Sequence, residues 1–304
     1  MTDLLEALDE EERSRAREAE QPRWANPMLA TLTHEAFSDA AWIYERKLDG
    51  VRLLAFRRNG SVRLVSRNRK DRNATWPEIA DALEVGNGAD VIVDGEVVAF
   101  EGEVTSFSRL QERMQIRDEE EARKRSHRVR AYYYLFDLLH LDGHDVTKLP
   151  LRTRKRLLKQ AMRFEDPVRY TPHRNEEGQA LLEKACRKGW EGLIAKRADS
   201  EYVHSRSRKW LKLKCVERQE LVVGGWTDPE GERVGLGALL VGYYEDGNLR
   251  YAGRVGTGFD HETLKRLHSK LTSLERNTPP FAEGEEAGGD DVHWATPKLV
   301  GEVG

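Results

Sequence analysis

Only two cysteines, Cys186 and Cys215, occur among 304 residues. That is too few for a disulfide framework or a four-ligand zinc site, and they read as two reduced thiols. No apolar run approaches the roughly 18 residues of a membrane span, and the acidic start (Asp3, Glu6, Asp9, Glu10, Glu11, Glu12) is the reverse of a signal peptide. A cytoplasmic protein without a membrane partner is therefore expected. There is no internal repeat and no dinucleotide-type glycine fingerprint. The nine histidines form no metal-spaced pair; His140 and His144 straddle an expected Asp142-Gly143 turn and read as solvated. Gly253 to Gly258 is glycine-rich, but it lies in an expected strand and turn rather than opening a phosphate-binding helix.

Charge is what the chain has in excess. Charged residues make up 34% of it, against roughly 25% in an average globular protein. The net charge of -3 conceals segregation. Arg46 to Arg72 carries ten Lys/Arg against two Asp, Arg187 to Arg218 carries ten against four Asp/Glu, and both ends are acidic. Two basic stretches in a mildly acidic chain are either solvated faces or phosphate-binding surfaces. The length suits two domains.

Residues 2 to 20 read as an exposed helix closed by Pro22 and Pro27, an N-terminal helical appendage over 1–21. Trp42 to Tyr44, Val51 to Phe56 and Ser61 to Ser66 read as strands, the last two joined by the hairpin signal Asn59-Gly60. Val91 to Phe100 and Tyr132 to Leu141 add strands, while Ser106 to Gln115, Leu151 to Met162 and Glu177 to Lys188 have helical spacing. Irregular alternation argues an α+β domain with antiparallel sheets over 22–216. After a boundary near residue 217, the short strands Gln219 to Trp226, Ala238 to Glu245, Asn248 to Arg254 and Leu299 to Val303, with a helix from Asp260 to Leu274, suit a small OB-like β-barrel over 217–304. Glu283 to Asp291 reads as a polar loop.

Glu45-Arg46-Lys47-Leu48-Asp49-Gly50-Val51-Arg52 places a lysine beside a tight turn with an arginine five positions on. This is either a phosphate site or a hairpin turned at Asp49-Gly50. For Lys47 to attack phosphorus, neighbouring positive charge must favour the free amine, and Lys212, Lys214 or a metal would supply it. Glu96 and Glu191 stand at strand starts beside glycines, where a carboxylate has no apolar reason to be. They read as strand-end solvation or as a metal or ribose site. Lys212 and Lys214 alternate with Leu211 and Leu213, so the lysines share one strand face and the leucines the other. Lys196 fits the same side, or is an exposed edge-strand lysine. Phe136 is either a stacking platform or a core aromatic.

The ordered set Ser66-Arg67-Asn68, Asp94-Gly95-Glu96, Phe136-Asp137, Glu191-Gly192 and Lys209 to Lys214, after the Lys47 segment, resembles the covalent nucleotidyltransferases and within them the ATP-dependent DNA ligases. Pro27-Met28-Leu29-Ala30, Glu191 to Lys196 and the run from Tyr202 to Lys214 are most similar to the ligase module of bacterial end-joining ligases. The resemblance covers about residues 22–303. It implies a nucleotidyltransferase (ATP-grasp-like) adenylation domain followed by an OB-fold domain, with a cleft between them and a monomeric enzyme. It further implies that Lys47 attacks the α-phosphate of ATP, that Arg52 and Arg67 bind phosphate and ribose oxygens, and that Glu45 holds the adenine edge. Phe136 would stack on adenine, Lys196, Lys212 and Lys214 would bind the nucleotide, Glu96 and Glu191 would hold Mg2+ or Mn2+, and Arg254 would touch DNA backbone. The implied partners are duplex DNA with nicks or ends and a Ku-type end-binding protein. An RNA ligase, an mRNA guanylyltransferase and a decayed, non-catalytic ligase scaffold are the rivals. The family continues past Val303 into another strand and a basic motif over ATP. This chain stops at Gly304, so the barrel is expected to be incomplete and self-adenylation slow relative to sealing of a pre-adenylated nick.

Overall fold

The computed structural model describes residues 4–85, 88–175, 177–215, 219–229, 231, 234–282, 289 and 291–303. The chain divides into two compact units, Met1–Cys215 and Val216–Gly304. The boundary expected near residue 217 and most of the polar loop expected over 283–291 lie outside the described residues.

In chain order the first unit contains α1 (Glu10–Arg15), β1 (Arg17–Glu18), β2 (Leu29–Thr33), β3 (Trp42–Arg46), β4 (Val51–Arg58), β5 (Ser61–Ser66), α2 (Pro77–Glu84), β6 (Val91–Val98), β7 (Phe100–Glu101) and β8 (Val104–Thr105). There follow α3 (Phe107–Met114), α4 (Glu119–Ser126), β9 (Tyr132–Leu141), β10 (His144–Asp145), α5 (Leu151–Ala161), β11 (Val168–Tyr170), β12 (His173–Asn175), α6 (Gly178–Arg187), β13 (Gly192–Arg197) and β14 (Arg206–Lys214). A seven-stranded sheet runs β1-β10-β9-β6-β4-β5 with β11 beside β9, and a five-stranded sheet runs β12-β3-β13-β14-β2. Pairings are antiparallel except β11 on β9 and β14 on β2, which are parallel.

The β4–β5 hairpin forms where Asn59 (φ 51°) and Gly60 (φ 80°) both adopt the left-handed conformation of a tight two-residue turn. α5 puts Leu151, Leu157, Leu158 and Ala161 on its buried side, the apolar stripe that its spacing predicts. One face of the larger sheet packs Leu53, Leu64, Val93 and Leu135 against Ile79, Leu83, Leu110 and Leu157. The other packs Leu54, Phe56, Ile92 and Phe136 with Met28, Tyr202 and Trp210. Trp210 lies on β14, so this second cluster joins the two sheets face to face.

Three readings are corrected here. The N-terminal segment is not an exposed appendage: its helix is confined to Glu10–Arg15, Arg17 and Glu18 pair with β10, and Leu5 and Leu8 are buried in the main core. Those two leucines were hidden among the charges around them. His140 is 2% exposed, because its ring lies inside β9 with Nε2 bonded to the Ala19 carbonyl oxygen at 2.9 Å. Only the Asp142-Gly143 turn beside it is solvated, with φ of 41° and 81°. Cys186 and Cys215 are joined as a disulfide across 29 residues, with their Cα atoms 5.2 Å apart. The end of α6 is brought to the residue after β14, a proximity that the count of two cysteines gave no means of reading.

In the second unit β15 (Gln219–Thr227), β16 (Leu239–Glu245), β17 (Asn248–Val255), α7 (His261–Thr272), β18 (Glu275–Arg276) and β19 (Val292–Val303) form a five-stranded sheet ordered β17-β16-β15-β19-β18. α7 starts at Asp260, whose side chain caps the Thr263 N–H at 2.7 Å, and buries Leu264 and Leu271 in the core of this unit. β19 begins at Val292, earlier than the expected Leu299, because a register shift opposite Val223 and Gly225 accommodates Pro297 inside the strand. No helix among the described residues is long and apolar enough to cross a membrane.

Asp137 and Arg154, both fully buried, form a two-armed ion pair at 2.7 and 2.9 Å. Asp137→Ala leaves a buried guanidinium without its carboxylate and is expected to destabilise the first unit by about 3–5 kcal/mol. Denaturant unfolding followed by tryptophan fluorescence checks this; a loss below 1 kcal/mol contradicts it.

Candidate active site

Residues 47–50 carry the chain from the smaller sheet to the larger one, since β3 belongs to one and β4 to the other. The Asp49-Gly50 segment is therefore not a hairpin turn. Gly50 is required by packing: a Cβ there would stand 2.1 Å from the Val97 carbonyl oxygen. Lys47 sits at this crossing, its N–H bonded to the Gly192 carbonyl at 2.9 Å.

Strand alternation then sets a face. Glu45 stands opposite Ile194, Ile194 opposite Lys212, Lys196 opposite Trp210 and Gly192 opposite Lys214, so these residues share one side of the smaller sheet. Tyr44, Leu193, Ala195, Leu211 and Leu213 form a separate apolar cluster on the other. From the larger sheet come Arg52 and Glu96, directly opposite one another on β4 and β6, and Phe136 on β9. Of these, Glu45, Arg52, Glu96, Phe136, Ile194, Lys196 and Trp210 join Lys47 in lining a cavity of about 150 Å³ that also touches Ala30 and Thr171; Lys212, Lys214 and Glu191 lie outside that lining. Gly192 has φ 143°, and a Cβ on it would lie 2.0 Å from the Leu213 carbonyl oxygen. Glycine there lets β13 close against β14.

Lys47 Nζ is ion-paired with Glu191 Oε2, and Lys214 Nζ lies 3.9 Å from the other Glu191 oxygen. Lys212 is held below the usual lysine range by burial and then by the charges of Lys214, Arg206 and Lys47. At the floor Glu45 is 2% exposed, with Lys155 on Oε1 and Lys196 on Oε2 at 2.6 Å. Burial pushes the Glu45 carboxyl up, but the two ammonium groups outweigh it and hold it below the ordinary range. Lys196 is lowered to about 8 by burial, against the pull of Glu45. Its Nζ lies 4.1 Å from the ring centroids of both Phe136 and Trp210. β13 is flanked by β3 and β14, so Lys196 is neither exposed nor on an edge.

Arg52 donates from Nε and Nη2 to the two oxygens of Asp94, at 2.5 and 2.6 Å, and its guanidinium stacks 4.4 Å from the Phe136 centroid. Asp94 also accepts from Tyr202 Oη at 2.5 Å, and Tyr202 in turn accepts from the Met28 N–H. Phe136 belongs to the core and also lines the cavity. Arg67, expected at the phosphates, lies exposed in the turn after β5 and does not line the cavity. Arg254 is exposed on β17 in the second unit.

The family model for the ATP-dependent DNA ligase domain matches residues 27–214, and that for the ATP-dependent DNA ligase C-terminal region matches 232–304. The chain belongs to the ATP-dependent DNA ligases. It is 38% identical over 93% of its length to the multifunctional non-homologous end joining protein LigD of Pseudomonas aeruginosa, covering 33% of that protein. Against the LigD protein of Mycobacterium tuberculosis it is 35% identical over 91% of its length, covering 35%. The ligase thus spans about a third of the curated relatives it matches. The crystal structure of the ligase domain from M. tuberculosis LigD superposes with a TM-score of 0.56 at 33% identity, over 91% of this chain and 88% of that one. A mycobacterial DNA ligase D complexed with ATP and MES gives 0.52 at 31% identity over the same shares. The first unit has the nucleotidyltransferase-type ligase fold, and the second is an OB-like β unit.

Lys155, which sits behind the cavity on Glu45, and the lining residues Trp210 and Thr171 were not among the expected site residues. Lys155 was readable as a lysine spaced with Leu151 and Leu158 on the buried stripe of α5. Trp210 shares its strand face with Lys212 and Lys214. Thr171 carried no signal.

Burial raises Glu96 to about 7, against the opposing charges of Arg52 and Lys47. Below the ordinary carboxylate value of 4.5, folded and unfolded chains are both protonated there. Between that value and about 7 the unfolded chain ionises first, so this group lowers stability as pH rises. Glu96→Gln is therefore expected to match wild type in melting temperature near pH 4 and exceed it at pH 8. Thermal unfolding at both pH values checks this, and a gap that closes toward pH 8 contradicts it.

Proposed function

We propose that this chain seals 5′-phosphate/3′-hydroxyl nicks or breaks in duplex DNA, with AMP carried first on Lys47 and then on the DNA 5′-phosphate. What carries the reading is Lys47 Nζ at the junction of two sheets, on a cavity floored by Phe136 and Trp210 and flanked by Lys212 and Lys214. In the first step Nζ gives up a proton, its lone pair forms a bond to the α-phosphorus, and the bond to the β-phosphate oxygen breaks to release pyrophosphate. In the second, a 5′-phosphate oxygen of the DNA displaces lysine from AMP. In the third, the 3′-hydroxyl displaces AMP and loses its proton. Lys212 and Lys214 hold phosphate charge, Phe136 and Lys196 face the base, and Glu45 meets the adenine edge only as its grip on Lys155 or Lys196 is shared. Residues 22–216 act as the adenylation domain and 217–304 as an OB-fold domain whose Arg254 contacts DNA backbone. Such contacts grip without reading bases, so binding weakens with salt.

Glu96 and Glu191 suit Mg2+ or Mn2+. Glu96 is partly buried and raised, and it feels the charge of Glu191, a repulsion that a divalent cation relieves. No cluster of three His, Cys, Asp or Glu able to hold a metal occurs among the described residues, so phosphate and water would complete a sparse hard-cation shell. When bound, such an ion neutralises charge developing on the phosphates. The likeness to end-joining proteins supports a role in double-strand break repair, in which we propose that the chain acts as a monomer beside a Ku-type end-binding protein.

Intact-mass measurement after incubation with ATP should show addition of one AMP, reversed by pyrophosphate. Lys47→Ala and Lys47→Arg should both lose the adduct while keeping the wild-type melting temperature, because a guanidinium stays protonated and cannot attack phosphorus. An adduct on Lys47→Arg, or with GTP in place of ATP, refutes the assignment, and faster sealing of nicked RNA than nicked DNA refutes the substrate. Glu96→Ala and Glu191→Ala should each slow sealing by orders of magnitude, with partial recovery at raised magnesium. Wild-type rates at every magnesium concentration would reduce both carboxylates to strand-end solvation.

A further inference from the structure

The first unit holds a second cavity, of about 440 Å³, that shares no lining residue with the one around Lys47. Trp24, Ile92 and Leu139 give it apolar walls, and His140 and Asp145 give it polar ones. His140 is 2% exposed. Its Nε2 donates to the Ala19 carbonyl oxygen at 2.9 Å, which ties the cavity wall to the segment before Glu20. Nδ1 is buried and has no partner among the described residues. Asp145 stands directly opposite His140 across β9 and β10. Its Oδ1 accepts from Thr147 N and Oγ1 at 2.8 and 2.6 Å, which leaves Oδ2 as a second acceptor. Glu20, at the rim, adds a second carboxylate, shared with Arg58 at 3.0 Å. The Trp24 indole N–H is engaged by Asn26 at 3.0 Å, and its ring already carries one cation, the Arg69 guanidinium, 5.3 Å from the centroid.

The charged groups this cavity presents are the carboxylates of Asp145 and Glu20, and its wall is an aromatic ring known by its neighbour to take a guanidinium. We propose that it binds a planar, donor-rich cation, an amidinium or guanidinium, whose N–H groups go to the Asp145 and Glu20 carboxylates while its flat side lies on Trp24. A neutral aromatic would leave the acceptors unmatched, and an anion would be repelled. Two sources supply this chemistry, a free small molecule and an arginine side chain of a polypeptide.

The test is calorimetric titration of the full chain, without nucleotide, using benzamidine, its neutral analogue benzyl alcohol, agmatine and the blocked tripeptide Ala-Arg-Ala. Benzamidine should bind saturably at one site, and benzyl alcohol at least tenfold more weakly. Asp145→Asn keeps an acceptor for Thr147, and Trp24→Leu keeps an apolar wall. Each should weaken benzamidine at least fivefold with the melting temperature of the free protein unchanged. Agmatine binding the tighter of the two guanidinium probes assigns a small-molecule ligand, and the tripeptide binding at least as tightly assigns a polypeptide. The absence of saturable heat with benzamidine, equal binding of benzyl alcohol, or unchanged affinity in both variants overturns the proposal. None of these readouts involves Lys47 or AMP.

Discussion

Glu45 is the residue on which the architecture of the cavity turns. It is buried on β3 with an ammonium group on each carboxylate oxygen, Lys196 from the neighbouring β13 and Lys155 from α5. Lys155 also donates to the Thr171 carbonyl oxygen at 3.1 Å. α5 packs against β9 of the larger sheet, so this cluster ties the smaller sheet, the helix and the larger sheet at one point. A buried carboxylate with one partner removed is strongly destabilising. The three groups therefore stand or fall together, and β3, which ends at Arg46 just before Lys47, is held in register by them.

The cluster also sets the electrostatics of the cavity. One carboxylate against two lysines leaves excess positive charge beneath Phe136 and Trp210, and Lys196 near 8 is the member able to give up its proton at modest cost. Toward the mouth the order is repeated in looser form, with Glu191 between Lys47 and Lys214. There the side chains are partly exposed and the pairing is open to exchange. A deep, closed pair of cations and a shallow, exchangeable pair suit a ligand with a flat base at one end and phosphates at the other.

Period-two alternation made much of this legible. Lys212 and Lys214 against Leu211 and Leu213 does describe β14, and Asn59-Gly60 does turn the β4–β5 hairpin. What alternation cannot give is which strands face each other. Lys155 comes from a helix far along the chain, Tyr202 reaches Asp94 across 108 residues, and the two cysteines meet only because α6 and β14 end together. Local pattern likewise placed Leu5 and Leu8 in a solvated helix because it weighed their charged neighbours, whereas the core claims each leucine separately.

Arginine and lysine divide the work in a way that the one-dimensional pattern blurred. Arg52, Arg113 and Arg154 each close a two-armed fork on one carboxylate, Asp94, Glu78 and Asp137. A planar, permanently charged group is suited to such fixed pairing. Arg52 then has only Nη1 without a hydrogen bond among the described residues, so it cannot give a phosphate, as the resemblance implies, a two-armed grip without releasing Asp94 and, through it, Tyr202 and Met28. On the proposed function, the groups left to follow a phosphate are lysines, whose single ammonium turns freely and whose charge the surroundings shift, as at Lys212. Fixed geometry is thus built from arginine around the cavity, and movable charge from lysine within it.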